Sequence, residues 1–265
     1  MLRFRNLASG SGGNATLIEG GSSGTRPCRL LLDCGLSLRQ VDVRLQAAGT
    51  SAGALDAVFI THEHSDHTGC VLKLALRERI PVWMSEGTWR GMGAPGLDGL
   101  LHLAHDGQAI DLGGFEAWPF AVPHDAREPL HLRVSDGATH IGLMTDLGHA
   151  PEHVVQHLQG CHALLLEANH DADMLHGGRY PAFLKQRIAG PHGHLANDAS
   201  AELLRAVCHP GLRQVVAAHL SARNNQPHLA QAALAQAWGC ASADIIVADQ
   251  RTGTNWVAPG QGRWE

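Results

Sequence analysis

Residues 60–69 read ITHEHSDHTG. Three histidines and two acidic residues fall within this stretch, directly after the apolar run 55–60. His62 and His64 stand two apart, so on an extended segment both point the same way. Asp66 and His67 follow at the point where Ser65-Asp66 reads as the start of a helix. A chain leaving a strand and entering a helix cannot aim four such side chains at one point. It can aim them at two adjacent points, as a pair of metal ions requires.

Working outward, metal-competent residues recur at the ends of other apolar runs. LLLD ends in Asp33, VPHDA holds His124, HIGLMTD ends in Asp146 and VVAAH ends in His219. A sheet scaffold carries its functional residues where strands run into loops. Four separate strands ending this way extend the opening motif into a set. Nitrogen and carboxylate donors without thiolate suit Zn²⁺, Mn²⁺ or Fe. Two such ions about 3.5–4 Å apart can hold a bridging hydroxide at neutral pH. Lone strand-end histidines such as His102 and His162 have the plainer reading of surface or hydrogen-bonded groups. Cys34, Cys70 and Cys161 sit in apolar context and read as small core residues.

The chain has 265 residues, 44% hydrophobic and 17% charged, which places it among ordinary globular proteins and predicts one domain over 1–265. No signal-peptide block opens it and no apolar run is long enough to span a membrane. The six cysteines (Cys28, Cys34, Cys70, Cys161, Cys208, Cys240) are scattered without a CxxC pair. Free thiols and a cytoplasmic setting are expected. Net charge is −5, so no global basic field announces a nucleic-acid partner, although bound dications add positive charge that this sum omits.

Along the chain, strands are expected at 2–8, 15–19 and 29–33, with a turn at 20–25, then a helix over 36–48 and a buried strand at 55–60. A helix over 66–79 and a strand at 80–84 follow. Residues 85–113 hold too much Gly and Pro for long elements. Strands at 115–122, 130–135 and 139–145 precede a helix at 151–158. Strands at 163–168, 214–218 and 245–248 then alternate with helices at 197–208 and 229–238. Two mixed sheets with helices on their outer faces satisfy that order, an α/β class.

At these residues the sequence resembles the metallo-β-lactamase superfamily, whose His-x-His-x-Asp-His string is matched by His62, His64, Asp66 and His67. The resemblance covers nearly the whole chain and implies the αβ/βα four-layer sandwich. It assigns His62, His64 and His124 to one metal and Asp66, His67 and His219 to the other, with Asp146 bridging. Asp33 has no place in that full set and is expected to orient a ligand from behind.

Three further strings look like the YycJ/WalJ-type branch, which is similar to the RNase Z-like nucleases. They are LASGSGGNATLIE, the pair EANHDADML and YPAFLKQRIAGPHGHLAND, and HLSARNN. That resemblance implies a DNA exonuclease acting 5′ to 3′ on duplex DNA. His194 precedes the helix at 197–208, where a phosphate can meet both imidazole and helix N-terminal N–H groups. His194 is assigned as proton donor or phosphate ligand, Glu167 as its orienting carboxylate, and Asp66 as the residue that orients the nucleophile. Candidate substrate contacts are Ser9, Gly10, Ser11, Asn14, Asn169, His170, Lys185 and Arg187. A hairpin turn explains the first four, and a solvated helix face explains Arg179, Lys185 and Arg187 nearly as well.

The segment between Asp146 and His219 is too short for the inserted helical domain of β-CASP nucleases, and no long basic arm of the RNase Z kind is present. Substrate is therefore expected to meet the core surface or a second subunit, a homodimer being one arrangement. The rival readings are a small-molecule hydrolase of the same fold, acting on a cyclic phosphodiester, thioester or lactone, and a non-catalytic metal-dependent binding module. The full ligand set argues against the second.

Overall fold

The computed structural model describes residues 1–21, 24 and 26–260. The chain opens with an antiparallel meander of β1 (Arg3–Ala8), β2 (Ala15–Gly20) and β3 (Cys28–Leu32). It crosses through α1 (Leu38–Ala47) to β4 (Ala57–Phe59). Two helices, α2 (Ser65–Thr68) and α3 (Val71–Glu78), lead to β5 (Val82–Met84), and α4 (Glu86–Gly91) leads to β6 (Leu101–Leu103). These strands form one mixed sheet in the order β1-β2-β3-β4-β5-β6, parallel from β3 onward.

The second sheet starts with β7 (Ile110–Asp111), β8 (Glu116–Ala121), β9 (Leu130–Ser135) and β10 (His140–Met144), all antiparallel neighbours. Helix α5 (Glu152–Leu158) crosses to β11 (Ala163–Glu167). Then α6 (Ala172–Gly177), α7 (Ala182–Ile188) and α8 (Asn197–Val207) precede β12 (Gln214–Ala218). Finally α9 (Pro227–Trp238) leads to β13 (Ile245–Val247), and the order is β13-β12-β11-β10-β9-β8-β7.

Why the strands read as unbroken apolar runs is visible in their packing. Leu30 and Leu32 of β3 and Leu165 and Val216 of the second sheet meet in one core between the sheets. The alternate residue Leu31 faces outward with Val41, Leu45 and Leu74 of α1 and α3. Leu164, Leu166 and Val215 face outward with Val154, Leu203 and Leu234 of α5, α8 and α9. Period-two alternation thus feeds two cores per sheet, and both faces must be apolar. The layers are helix, sheet, sheet, helix, the sandwich expected. Among the described residues no helix is long and apolar enough to cross a membrane.

Several boundaries differ from expectation. The helix expected over 66–79 is broken at Gly69, where φ is +29°, into α2 and α3. The cause is a backbone-to-backbone contact: the Asn14 N–H donates to the Asp66 carbonyl at 2.8 Å, and the Cys34 N–H to the His67 carbonyl at 2.8 Å. A Cβ on Gly35 would lie 1.6 Å from the Asp66 carbonyl oxygen, so only glycine permits this approach. Residues 85–113, expected to lack long elements, hold the short α4, β6 and β7. Helices α6 and α7 were not foreseen, being brief and amid polar sequence; α6 is capped by Asp171, whose Oδ1 accepts the Met174 N–H at 2.9 Å. Ser22, Ser23 and Thr25 of the turn expected at 20–25 lie outside the described residues.

Candidate metal centre

Three strand ends carry an unusual backbone. Asp33, Asp146 and His219 follow β3, β10 and β12, and each has a left-handed φ, of +60°, +50° and +56°. Continued as strand, each would share the outward parity of Leu31, Met144 and Ala217. The left-handed turn breaks that alternation and brings the three side chains to a common cleft. Non-glycine residues adopt this conformation at a cost of about 1–3 kcal/mol, so it persists only where surroundings impose it.

Histidine ring nitrogens converge in this cleft. His62 Nε2 and His124 Nε2 lie 3.0 and 3.4 Å from His64 Nδ1. Beside them, Asp66 Oδ2 is 3.7 Å from His67 Nε2 and 3.9 Å from His219 Nε2. Asp146 stands between the groups, Oδ2 at 3.0 Å from His67 Nε2 and Oδ1 at 4.0 Å from His124 Nε2. The remaining ring nitrogens are held from behind. His67 Nδ1 is 2.8 Å from Asp33 Oδ2, His219 Nδ1 2.9 Å from Glu167 Oε1, and His124 Nδ1 3.0 Å from the Gly193 carbonyl. With acceptors behind them these rings hold an N–H on Nδ1 and turn Nε2 inward, the atom that a metal takes once it has given up any proton. Thr61 completes the rear wall, its N–H and hydroxyl donating to Asp33 Oδ1 at 2.9 and 3.0 Å.

The donor set can be tested against a divalent ion. Asp33, Asp146 and Glu167 are buried, and Asp66 is partly exposed at the cleft. Among the described residues, none of these four carboxylates pairs with a lysine or arginine. Buried anions need a compensating cation. The inward His219 Nε2 and Asp146 Oδ2 are buried without a hydrogen-bond partner, although His67 Nε2 lies close to the latter. Burial alone pulls the His67 and His219 pKa values down. The surrounding carboxylates outweigh it, Asp33 and Asp146 for His67 and chiefly Asp146 for His219, whose value rises to about 10. Protons thus stand in for positive charge that divalent ions supply when bound. These His/Asp clusters suit divalent metal ions.

His194 reaches the same cleft from the loop before α8. Its Nδ1 is 2.9 Å from Glu167 Oε1 and 3.5 Å from Asp146 Oδ1. Glu167 is fully buried, and its Oε2 accepts the Leu147 and Leu195 N–H groups at 2.8 and 3.2 Å. One carboxylate therefore holds both His194 and His219. Burial raises its pKa, but His194 and the other donors bring it down to about 2, so it stays ionised. The cleft opens into a cavity of about 300 Å³ whose walls include Ser11, Tyr180, Arg187 and His194.

The expected substrate contacts divide by burial. Ser9 and Asn14 are buried: Ser9 Oγ accepts the His219 N–H at 2.6 Å, and Asn14 Nδ2 lies 3.0 Å from His67 Nε2 while its Oδ1 accepts the Gly10 N–H at 2.8 Å. Their polar atoms serve the protein, not the cavity. Asn169 donates to the His219 carbonyl at 2.9 Å, and buried His170 accepts the Asn197 N–H through its carbonyl at 2.8 Å. Lys185 Nζ donates to the His176 carbonyl at 2.6 Å and is absent from the cavity wall. Ser11 and Arg187 do face it. Arg187 Nε pairs at 2.6 Å with Asp125, whose other oxygen is 3.3 Å from His124 Nε2. Sequence reasoning missed Asp125, Thr61 and Tyr180. The first two adjoin His124 and His62 in the chain, a usable signal; Tyr180 had none.

The Beta-lactamase superfamily domain model matches residues 28–220. The exodeoxyribonuclease YycJ of Bacillus anthracis is 33% identical over 240 residues, covering 89% of this chain and 88% of the relative. The exodeoxyribonuclease WalJ of Streptococcus pneumoniae is 33% identical over 233 residues, covering 86% and 85%. In fold, the metallo-β-lactamase fold protein YhfI of Bacillus subtilis superposes with a TM-score of 0.73 at 15% identity, covering 97% of this chain and 98% of that one. A family model spanning most of the chain, and relatives aligned along nearly its whole length, lead to one conclusion: the chain belongs to the metallo-β-lactamase superfamily of hydrolases, within its YycJ/WalJ branch.

Proposed function

We propose that this chain is a two-metal phosphodiesterase that degrades duplex DNA from 5′ ends. The observation that carries the reading is His194, an imidazole held by buried Glu167 and facing the cavity beside Asp66, Asp146 and His219. An imidazole so fixed can give a proton to the departing oxygen of a phosphodiester. The 33% identity to two exodeoxyribonucleases over most of each chain supports DNA as substrate.

His62, His64 and His124 would hold one ion, Asp66, His67 and His219 the other, with Asp146 shared between them. Bound divalent ions, Zn²⁺ or Mn²⁺ by donor type, supply Lewis acidity, acidifying water and neutralising charge that develops on phosphoryl oxygens. The chain's own residues do the rest. Asp66 orients the attacking water through its carboxylate, and His194 protonates the leaving oxygen. Glu167, Asp33 and the Gly193 carbonyl keep the imidazoles in one tautomer, so little reorganisation accompanies reaction. Ser9 and Asn14 act as positioning residues for His219 and for the Asp66–His67 turn.

The test is digestion of end-labelled duplex and single-stranded DNA with added Mn²⁺ or Zn²⁺, run beside an acyl-glutathione thioester. Stepwise shortening of duplex from the 5′ end is expected, and the Asp66→Ala variant should be inactive. Hydrolysis of the thioester alone, with DNA intact, would overturn the nuclease reading.

A further inference from the structure

Away from the metal centre, the edge strand β1, helix α1 and the segment after β13 enclose a cavity of about 630 Å³. Four arginines line it: Arg5 from β1, Arg39 and Arg44 from α1, and Arg251. No carboxylate is among the lining residues. Two of the arginines are aimed by backbone carbonyls, groups that fix direction without cancelling charge. Arg5 Nε donates to the Thr254 carbonyl at 2.9 Å and its Nη1 to the Ala47 carbonyl at 2.7 Å, while Arg44 Nη1 donates to the Leu7 carbonyl. Asp249, whose charge reaches Arg44, accepts the Arg251 and Thr252 N–H groups and the Thr252 hydroxyl through Oδ1. In a chain of net charge −5, four guanidinium groups against the one flanking carboxylate of Asp249 mark a place that attracts anions.

Arg251 also lines an adjoining cleft of about 450 Å³ together with Gln250, Leu220 and Ser221. Leu220 follows His219 directly in the chain, and its carbonyl accepts from Gln250 Nε2 at 2.9 Å. That adjoining cleft also carries Asp249, so an anion of repeated charge would lie along the four arginines of the first cavity. Arginine is suited to it, because its planar fork binds phosphate oxygens in pairs.

We propose that the Arg5, Arg39, Arg44 and Arg251 cavity binds the phosphodiester backbone of the DNA substrate at a distance from the bond being cut. This rests on the nuclease reading above. The site positions substrate without reading sequence, since phosphates are alike along the strand. It takes the place of the basic arm that the chain lacks.

The experiment compares the metal-loaded full chain with its R39E/R251E variant. These two arginines are exposed, unlike Arg44, which is anchored to the backbone. Turnover of bis-p-nitrophenyl phosphate should be unchanged, because that ester does not reach beyond the centre. On a duplex of about 30 base pairs, kcat/KM should fall roughly tenfold or more, and the log–log salt dependence should become shallower by about two. Equal kcat/KM on the duplex, with wild type active, overturns this proposal alone. So does an equal loss on both substrates, which would mean damage to the centre. A wild type that cuts the small ester but no DNA overturns the nuclease reading and this one together. Added AMP that alters ester turnover in wild type and not in the variant, with duplex kcat/KM unaffected, assigns the cavity to a free nucleotide and also overturns it.

Discussion

Glu167 is the residue on which the centre turns, since one buried carboxylate holds His194 and His219 at 2.9 Å each. Two substitutions separate its functions. His194→Ala should lower kcat on DNA by about 10²–10⁴-fold while leaving KM and metal content near wild type. Glu167→Gln should lower kcat and also weaken metal binding by about 10–100-fold, because the amide is uncharged and its one acceptor oxygen cannot serve both the two imidazoles and the Leu147 and Leu195 N–H groups. Metal content after dialysis, set against kcat, distinguishes them; full metal retention in Glu167→Gln would count against the shared role. Asp33→Asn should act on binding alone, with a similar 10–100-fold loss of affinity read through His67.

At the scale of elements, the turn from β4 into α2 depends on a backbone contact that no side chain makes. Gly35 and Gly69 let residues 34–35 lie against residues 66–69. Gly35→Ala should destabilise the fold by about 2–4 kcal/mol, measured by calorimetric or denaturant unfolding, because its Cβ would overlap the Asp66 carbonyl. Unchanged stability would show that the turn can yield. The same contact explains why helical periodicity over 66–79 misled: Val71 and Leu74 do pack as a helix, but tertiary hydrogen bonds to residues 14 and 34 end α2 first. Helices α6 and α7 lacked a legible signal for the opposite reason. Helix α7 has no buried residue, so no apolar stripe marks it.

For the molecule as a whole, buried carboxylates that only histidines balance, at the joint between two sheets, make folding and metal binding interdependent. Removing ions with a chelator should abolish hydrolysis and lower Tm by on the order of 10 °C, recovered on adding Mn²⁺ or Zn²⁺. A chelated protein with unchanged Tm would mean that protons balance those carboxylates as well as metal does.

The metal motif and the strand order were legible because both rest on local rules. ITHEHSDHTG carries its ligand-type residues at short spacing, and apolar runs such as 163–167 declare doubly buried strands. Roles that depend on which atoms meet were not legible. Only the tertiary structure turned Ser9 and Asn14 inward, set Asp125 between His124 and Arg187, and gathered four arginines from three distant segments. The sequence by itself determined which residues offer metal-type donor atoms and in what order the strands deliver them. Where Asp33, Asp146 and His219 point was decided by the fold, since each needs a left-handed backbone that only surrounding contacts hold in place.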